Sequence, residues 1–256
     1  MKYFIDTEFF EGTQDKTIFG IKYGKTKPTI DLISIGIVAE DGREYYAISK
    51  DFNLKEAWNR YDLKINKHFP QGSEYNKEYW IRDNVLFSIW KELVAKDVQW
   101  YKDMWRKVPT YTSAYNPKDH YFNYSNLKRL INDYGKTNKQ IAEEVKEFVY
   151  KNNKPEFYGY YSDYDWVAFC WLFGKMIDLP KEFPQYCIDL KQELDNKVET
   201  YFAQRDDDYI LNVYGYEGVL NKVKQLPDYP KQINEHHALA DAKWNKELYD
   251  FLTFIE

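Results

Sequence analysis

The sequence predicts an α/β fold: a central mixed five-stranded sheet flanked by helices, with a helical and loop insertion. Two observations carry this. Short runs dense in aromatic and β-branched residues alternate with longer stretches of helical apolar periodicity. The 256 residues, 44% hydrophobic and 30% charged, are enough for one sizeable core under a charged surface, so 1–256 reads as a single domain.

Residues 2–10 read as the first strand, which Gly12 ends. Asp6 and Glu8 stand on it with one residue between them, so their side chains leave the same face about 7 Å apart. Carboxylates so placed repel unless a cation lies between them, and Mg²⁺ or Mn²⁺ prefers carboxylate oxygen. An edge strand with a wet acidic face is the alternative. Residues 20–26 fall one short of G-x-x-x-x-G-K-[ST], and Pro28 with a strand follows instead of a helix N-terminus. A lysine-rich hairpin or loop is therefore expected there. Residues 31–38 are nearly continuously apolar, as a central strand requires. Asp41-Gly42 is a hairpin turn, and residues 44–49 return as a third strand. The three form a meander with one functional edge.

Residues 53–97 are helical in tone, with apolar periodicity up to Val94. The stretch 98–139 differs in composition. Eight Lys or Arg against three Asp make it +5, while the remainder of the chain is −10. It also holds nine aromatic residues, an interleaving suited to gripping phosphates and stacking bases. A plain insertion in a chain that is Tyr-rich throughout is the simpler account of it. Lys102, Arg106 and Lys107 are its candidate phosphate contacts.

Thr137 and Gln140 have capping-box spacing, and Ile141, Val145, Phe148 and Val149 make the stripe of the helix that follows until Asn152, Asn153 and Pro155 stop it. Residues 157–161 are a fourth strand. Ser162 or Asp163 caps the next helix, Asp163 taking that role, and Asp165 stands where strand gives way to helix, at the sheet edge that ligands favour. A short fifth strand covers 186–188, just before Asp189. The acidic cluster 205–208 lacks the glycine of an EF-hand loop and reads as a solvated turn. The last helix covers 238–255, with Trp244, Leu248, Phe251, Leu252 and Ile255 buried. Asp241 lies in its first turns. His236 precedes Asp241 by five residues, about 140° around an ideal helix, so the two can share a site only if His236 sits in the loop before it.

Three motifs now stand in order. Phe4-Ile5-Asp6-Thr7-Glu8 comes first, Tyr161-Ser162-Asp163-Tyr164-Asp165 second, and His236-His237-Ala238-Leu239-Ala240-Asp241-Ala242 third. The third matches H-x-A-x-x-D-A. The second resembles N-x-x-F-D, with Tyr161 in place of asparagine and Tyr164 in place of phenylalanine. The chain thus resembles the DEDDh 3′–5′ exonucleases of the ribonuclease H-like superfamily over most of its length. Leu32-Ile33-Ser34-Ile35-Gly36, Asp165-Trp166-Val167 and Asp189-Leu190-Lys191 look most like the small bacterial and phage exoribonucleases described as polyadenylate-specific. The 98–139 insertion is extra to that pattern.

The resemblance implies a ribonuclease H-like fold and a two-metal hydrolase. Asp6, Glu8, Asp165 and Asp241 would hold two Mg²⁺ or Mn²⁺ ions about 3.5–4 Å apart. His236 would take the proton of the attacking water, imidazole titrating near neutral pH, with His237 a bystander. Thr7, Glu8, Phe9 and Trp166 are candidate contacts for the terminal nucleotide. The implied activity releases nucleoside 5′-monophosphates from single-stranded RNA or DNA 3′ ends, RNA favoured. A phosphodiesterase for dinucleotides and very short oligonucleotides, and a catalytically silent nucleic-acid-binding module, are the alternatives.

Composition bounds the rest. The net charge of −5 speaks against a chain basic all over and leaves room for a local patch. Cys170 and Cys187 stand in apolar surroundings, form no C-x-x-C pair and read as buried free thiols of a reducing compartment. No basic-then-apolar leader opens the chain and the longest apolar run, 32–39, is too short to span a bilayer, so a cytoplasmic protein without membrane contact is expected. A homodimer is compatible with the sequence.

Overall fold

In a computed structural model, residues 1–19, 21–65, 75–106, 121–149, 154–203 and 208–254 are described. Residues 107–120 of the insertion, Lys107 among them, lie outside that set, as do Gly20, Asn152, Asn153, residues 205–207 and Ile255.

Strand β1 (Lys2–Gly12) is followed by the hairpin β2 (Asp15–Ile18) and β3 (Ile21–Lys25), then β4 (Thr29–Ala39) and β5 (Glu44–Ile48). Helix α1 (Leu54–Asn59), the hairpin β6 (Asp62–Ile65) and β7 (Tyr75–Glu78), and α2 (Phe87–Lys96) come next, α2 entered through a π-helical turn at Ile81–Leu86. Helices α3 (Val98–Arg106), α4 (Tyr124–Tyr134) and α5 (Asn138–Phe148) lead to β8 (Glu156–Gly159). Then come α6 (Asp163–Phe173), β9 (Ile188–Asp189), α7 (Leu190–Ala203), α8 (Asp208–Val223) and α9 (Ala238–Phe254). The main sheet is mixed, with order β5-β4-β1-β8-β9, and helices flank it. Strand β8 runs parallel to β1, pairing Phe4 with Tyr158, and β9 runs parallel to β8.

The acidic strand is therefore interior, third of five, and not a wet edge. Tyr3, Phe4, Ile5 and Phe10 are buried, so both faces of β1 are covered. Residues 53–97 are also less helical than the sequence suggests, since they contain β6 and β7, paired from Asp62–Glu78 to Ile65–Tyr75. That hairpin is largely exposed, with Leu63 and Tyr75 more than half open, and an exposed pair carries no apolar run to announce it.

By backbone proximity the chain divides into two compact units, residues 1–7, 35–46 and 142–256 in one and 8–34 and 47–141 in the other. The first has a core in which Phe4, Val38 and Tyr158 meet Leu190, Leu194, Val198, Val219, Leu220, Trp244 and Leu248. Leu190, Leu194 and Val198 recur every four residues, the stripe of a buried helix face that the sequence reading passed over. In the second unit Trp90 is fully buried; Trp100 packs edge-on to it at 5.3 Å and Phe122 tilts against it at 5.8 Å. Leu127, Leu130 and Ile131 of α4 are buried as well. At the start of α5 the capping box is reciprocal: Gln140 N–H donates to Thr137 Oγ1 at 3.2 Å, and Thr137 N–H to Gln140 Oε1 at 2.9 Å.

Candidate active site

Asp6 and Glu8 leave one unbroken strand, β1, and Asp241 leaves the first turns of α9. One oxygen from each of the three carboxylates lies within 4.8 Å of the other two. Glu8 and Asp241 are buried and Asp6 is half-buried. Carboxylates gathered this closely out of water repel strongly unless a cation is shared among them, and an all-oxygen donor set suits Mg²⁺ or Mn²⁺. The residues present thus fit a divalent ion.

Three contacts hold α9 where Asp241 meets the strand. Gly36 of β4 lies so close to the helix start that a Cβ there would fall 2.3 Å from the carbonyl oxygen of Ala238. Asn245, one turn after Asp241 on the same face, is buried and donates from Nδ2 to the carbonyl of Ile5 at 2.8 Å, next to Asp6. Asp241 itself accepts from Gln232 Nε2 at 2.7 Å and from the backbone N–H of His237 at 3.2 Å. Burial pushes the Asp241 carboxyl above the usual carboxylate range against these hydrogen bonds and the nearby His236.

His236 lies in the loop before α9, as the spacing requires, with φ +65°. His237 is more than a bystander. Its ring stacks on Tyr46 at 4.6 Å, its carbonyl accepts from Ala240 and Asp241, and its Nδ1 accepts from Ala240 N–H at 3.4 Å. It begins the helix.

Asp165 arrives by another route. The cap of α6 is Ser162, so Asp163 is the first helical residue, exposed, and not the cap. Asp165 is buried in the first turn, and its Oδ1 accepts both the backbone N–H of Thr7 at 2.9 Å and the Thr7 hydroxyl at 2.5 Å. It stands outside the close trio but near enough for Asp241 to act on it electrostatically. Burial pushes its carboxyl up to about 6; Thr7 opposes that rise, and the charges of Asp189 and Asp241 add to it. Asp189 at the end of β9 accepts from the Ser162 N–H at 3.0 Å and the Lys191 N–H at 2.6 Å, tying the turn before α6 to the start of α7.

Of the candidate nucleotide contacts, Thr7 is engaged with Asp165, and Phe9 is half-buried. Trp166 is buried with its ring stacked on Phe169 at 4.9 Å and tilted to Phe157 at 5.3 Å. Asp189 was named from the sequence without a role, and Asn245 and Gln232 were missed. Asn245 alone left a trace, four residues after Asp241 on a face otherwise apolar.

Residues 1–253 match the model of the 3′–5′ exoribonuclease Rv2179c-like domain. The chain belongs to that family. Two curated relatives, 3′–5′ exoribonuclease Rv2179c of Mycobacterium tuberculosis strain H37Rv and 3′–5′ exoribonuclease MT2234.1 of strain CDC 1551, are each 28% identical over 194 residues. Each alignment covers 75% of this chain and 73% of the relative. The family match takes in all three acidic and histidine motifs and the inserted segment together. Among the described residues no helix is long and apolar enough to cross a membrane.

Proposed function

We propose that the chain is a metal-dependent 3′–5′ exoribonuclease of the DEDDh group, a single ribonuclease H-like domain acting on single-stranded RNA in preference to DNA. The observation that carries this is the meeting of Asp6, Glu8 and Asp241, beside a buried Asp165 and a histidine loop. The family match and the names of the relatives support it.

Asp6, Glu8 and Asp241, with Asp165 beside them, would hold the metal. Two Mg²⁺ or Mn²⁺ ions bound there would polarise the scissile phosphate and make the attacking water acidic. His236 takes that water's proton from the loop ahead of α9. Thr7 holds Asp165 by two hydrogen bonds to one oxygen, which leaves the other oxygen for the ligand. Asn245 and the close approach at Gly36 fix α9, and so Asp241, against the sheet. The backbone at Thr7 and Glu8 and the ring of Phe9 meet the terminal nucleotide.

Matched 20-nucleotide RNA and DNA single strands, labelled at the 5′ end, test the reading. It expects a ladder shortening from the 3′ end with nucleoside 5′-monophosphate as product, faster on RNA. Products confined to dinucleotides would move the chain to the short-oligonucleotide phosphodiesterases. Binding without any hydrolysis would make it a silent module.

A further inference from the structure

Tyr161 stands in an unusual place. Its φ is +54°, in the left-handed region that favours Gly, Asn and Asp over a ring-bearing residue. The turn around it is fixed from both sides. Gly159 approaches Ser162 so closely that a Cβ would lie 2.8 Å from the serine Cβ, and Ser162 N–H is held by Asp189 Oδ2 at 3.0 Å. The backbone therefore has no freedom to relieve the strain at Tyr161, and such strain persists only where its surroundings over-determine it. The asparagine of the N-x-x-F-D pattern would suit this conformation without cost.

The ring itself adds little to the fold. It is 64% exposed, touching the edge of Tyr160 at 4.8 Å, with the Lys191 ammonium 5.9 Å from its centroid. That ammonium is already engaged by Asp195 and by the Tyr216 hydroxyl at 3.0 Å. The ring is thus an open aromatic surface on the turn that delivers Asp165, just before the helix cap Ser162 and four residues ahead of that carboxylate, at the strand end where ligands of parallel strands collect.

We infer that Tyr161 is a stacking residue for a base of the single-stranded substrate, so that the strained turn serves to present a ring beside the acidic site. The inference rests on the exonuclease reading for the identity of the strand, and on the strained, exposed ring for the contact. An aromatic–base stack is sequence-tolerant, so Tyr161 contributes affinity without selecting among bases.

The test is binding of a fluorescein-labelled 12-nucleotide RNA in EDTA, beside melting temperature and steady-state kinetics in Mg²⁺. Tyr161→Asn should raise Kd and KM about 5- to 150-fold, the usual worth of one stacked base, with kcat nearly unchanged and a melting temperature equal to or above wild type. Tyr161→Phe should bind as wild type. An unchanged Kd in Tyr161→Asn, or a weaker Kd accompanied by a fall in melting temperature, would overturn the inference, the latter by assigning the ring to the fold. Because Kd is read without metal, a protein that binds through Tyr161 but releases no nucleotide would defeat only the exonuclease reading. An active enzyme indifferent to Tyr161→Asn would defeat only this one.

Discussion

Two regions of the molecule carry residue types that binding needs, and they use them in opposite ways. In one, β1 with the starts of α6 and α9, carboxylates are drawn into a sheet interior where charge is expensive. In the other, 98–139, some of the described aromatic rings are spent on packing: Trp100 on Trp90, Phe122 on Trp58 at 5.0 Å and on Phe87 at 5.0 Å. Part of the basic charge is also used internally, since Arg129 pairs with Asp97 and Asp133 and lies over Trp100. Several carboxylates gathered out of water are costly to a fold unless a cation is shared among them, whereas rings serve a core well. The first composition therefore points to chemistry, while Trp100 and Phe122, among the described residues of the second, serve structure.

The largest effect should come from the acids. Asp6→Asn or Asp241→Asn removes a charged oxygen donor and should abolish nucleotide release at any practical Mg²⁺ concentration, with the fold intact by circular dichroism. Near-wild-type turnover by either variant would erase the contrast between the two regions. Next is the histidine pair. His236→Ala should lower kcat by about 10²–10⁴, the usual worth of a positioned base. His237→Ala should leave chemistry mostly intact but lower stability by about 0.5–1.5 kcal/mol, from the lost stack on Tyr46. The opposite ranking of rates would place the motif one residue out of register.

How much of this was legible in the sequence depends on what each residue does. The main strands were readable because their apolar runs are buried on both faces, and the loop position of His236 followed from helical geometry once it was taken to share a site with Asp241. Asp6 and Glu8 drew notice because carboxylates inside an apolar strand break the local rule, while Asp241 was singled out by its H-x-A-x-x-D-A spacing to His236, a family resemblance. The interior place of β1 was not readable, since strand order depends on β8, which arrives some 150 residues later. Gln232 was illegible because it acts through one hydrogen bond from a loop, which no periodicity announces, and Asn245 left only a polar break in an apolar helix face. The exposed hairpin β6–β7 had no apolar signal to read.

Stability against pH sharpens the comparison further. Burial raises the Asp165 carboxyl, so without metal its contribution is fully present below the unfolded pKa near 3.9 and is lost as pH rises toward about 6. In EDTA, wild type should lose stability relative to Asp165→Asn between pH 4 and pH 6, and Mg²⁺ should reverse the loss. Parallel melting curves for the two proteins across that window would show the carboxylate to be unstrained. The smallest effect belongs to the insertion. Lys102, Arg106 and Lys107 replaced together by Ala should flatten the salt dependence of 20-nucleotide binding by about two units if all three touch phosphate. Dinucleotide hydrolysis should barely change. An unaltered slope would leave the insertion wholly to packing.

The central claim is that Asp6, Glu8 and Asp241 form one metal centre. Calorimetric titration of the metal-free protein with Mn²⁺ tests it without any nucleic acid present. Wild type should show saturable binding that Mg²⁺ competes away, and Asp241→Asn should lose most of that heat while His236→Ala keeps it. Equal binding by wild type and Asp241→Asn, or none by wild type, would contradict the account.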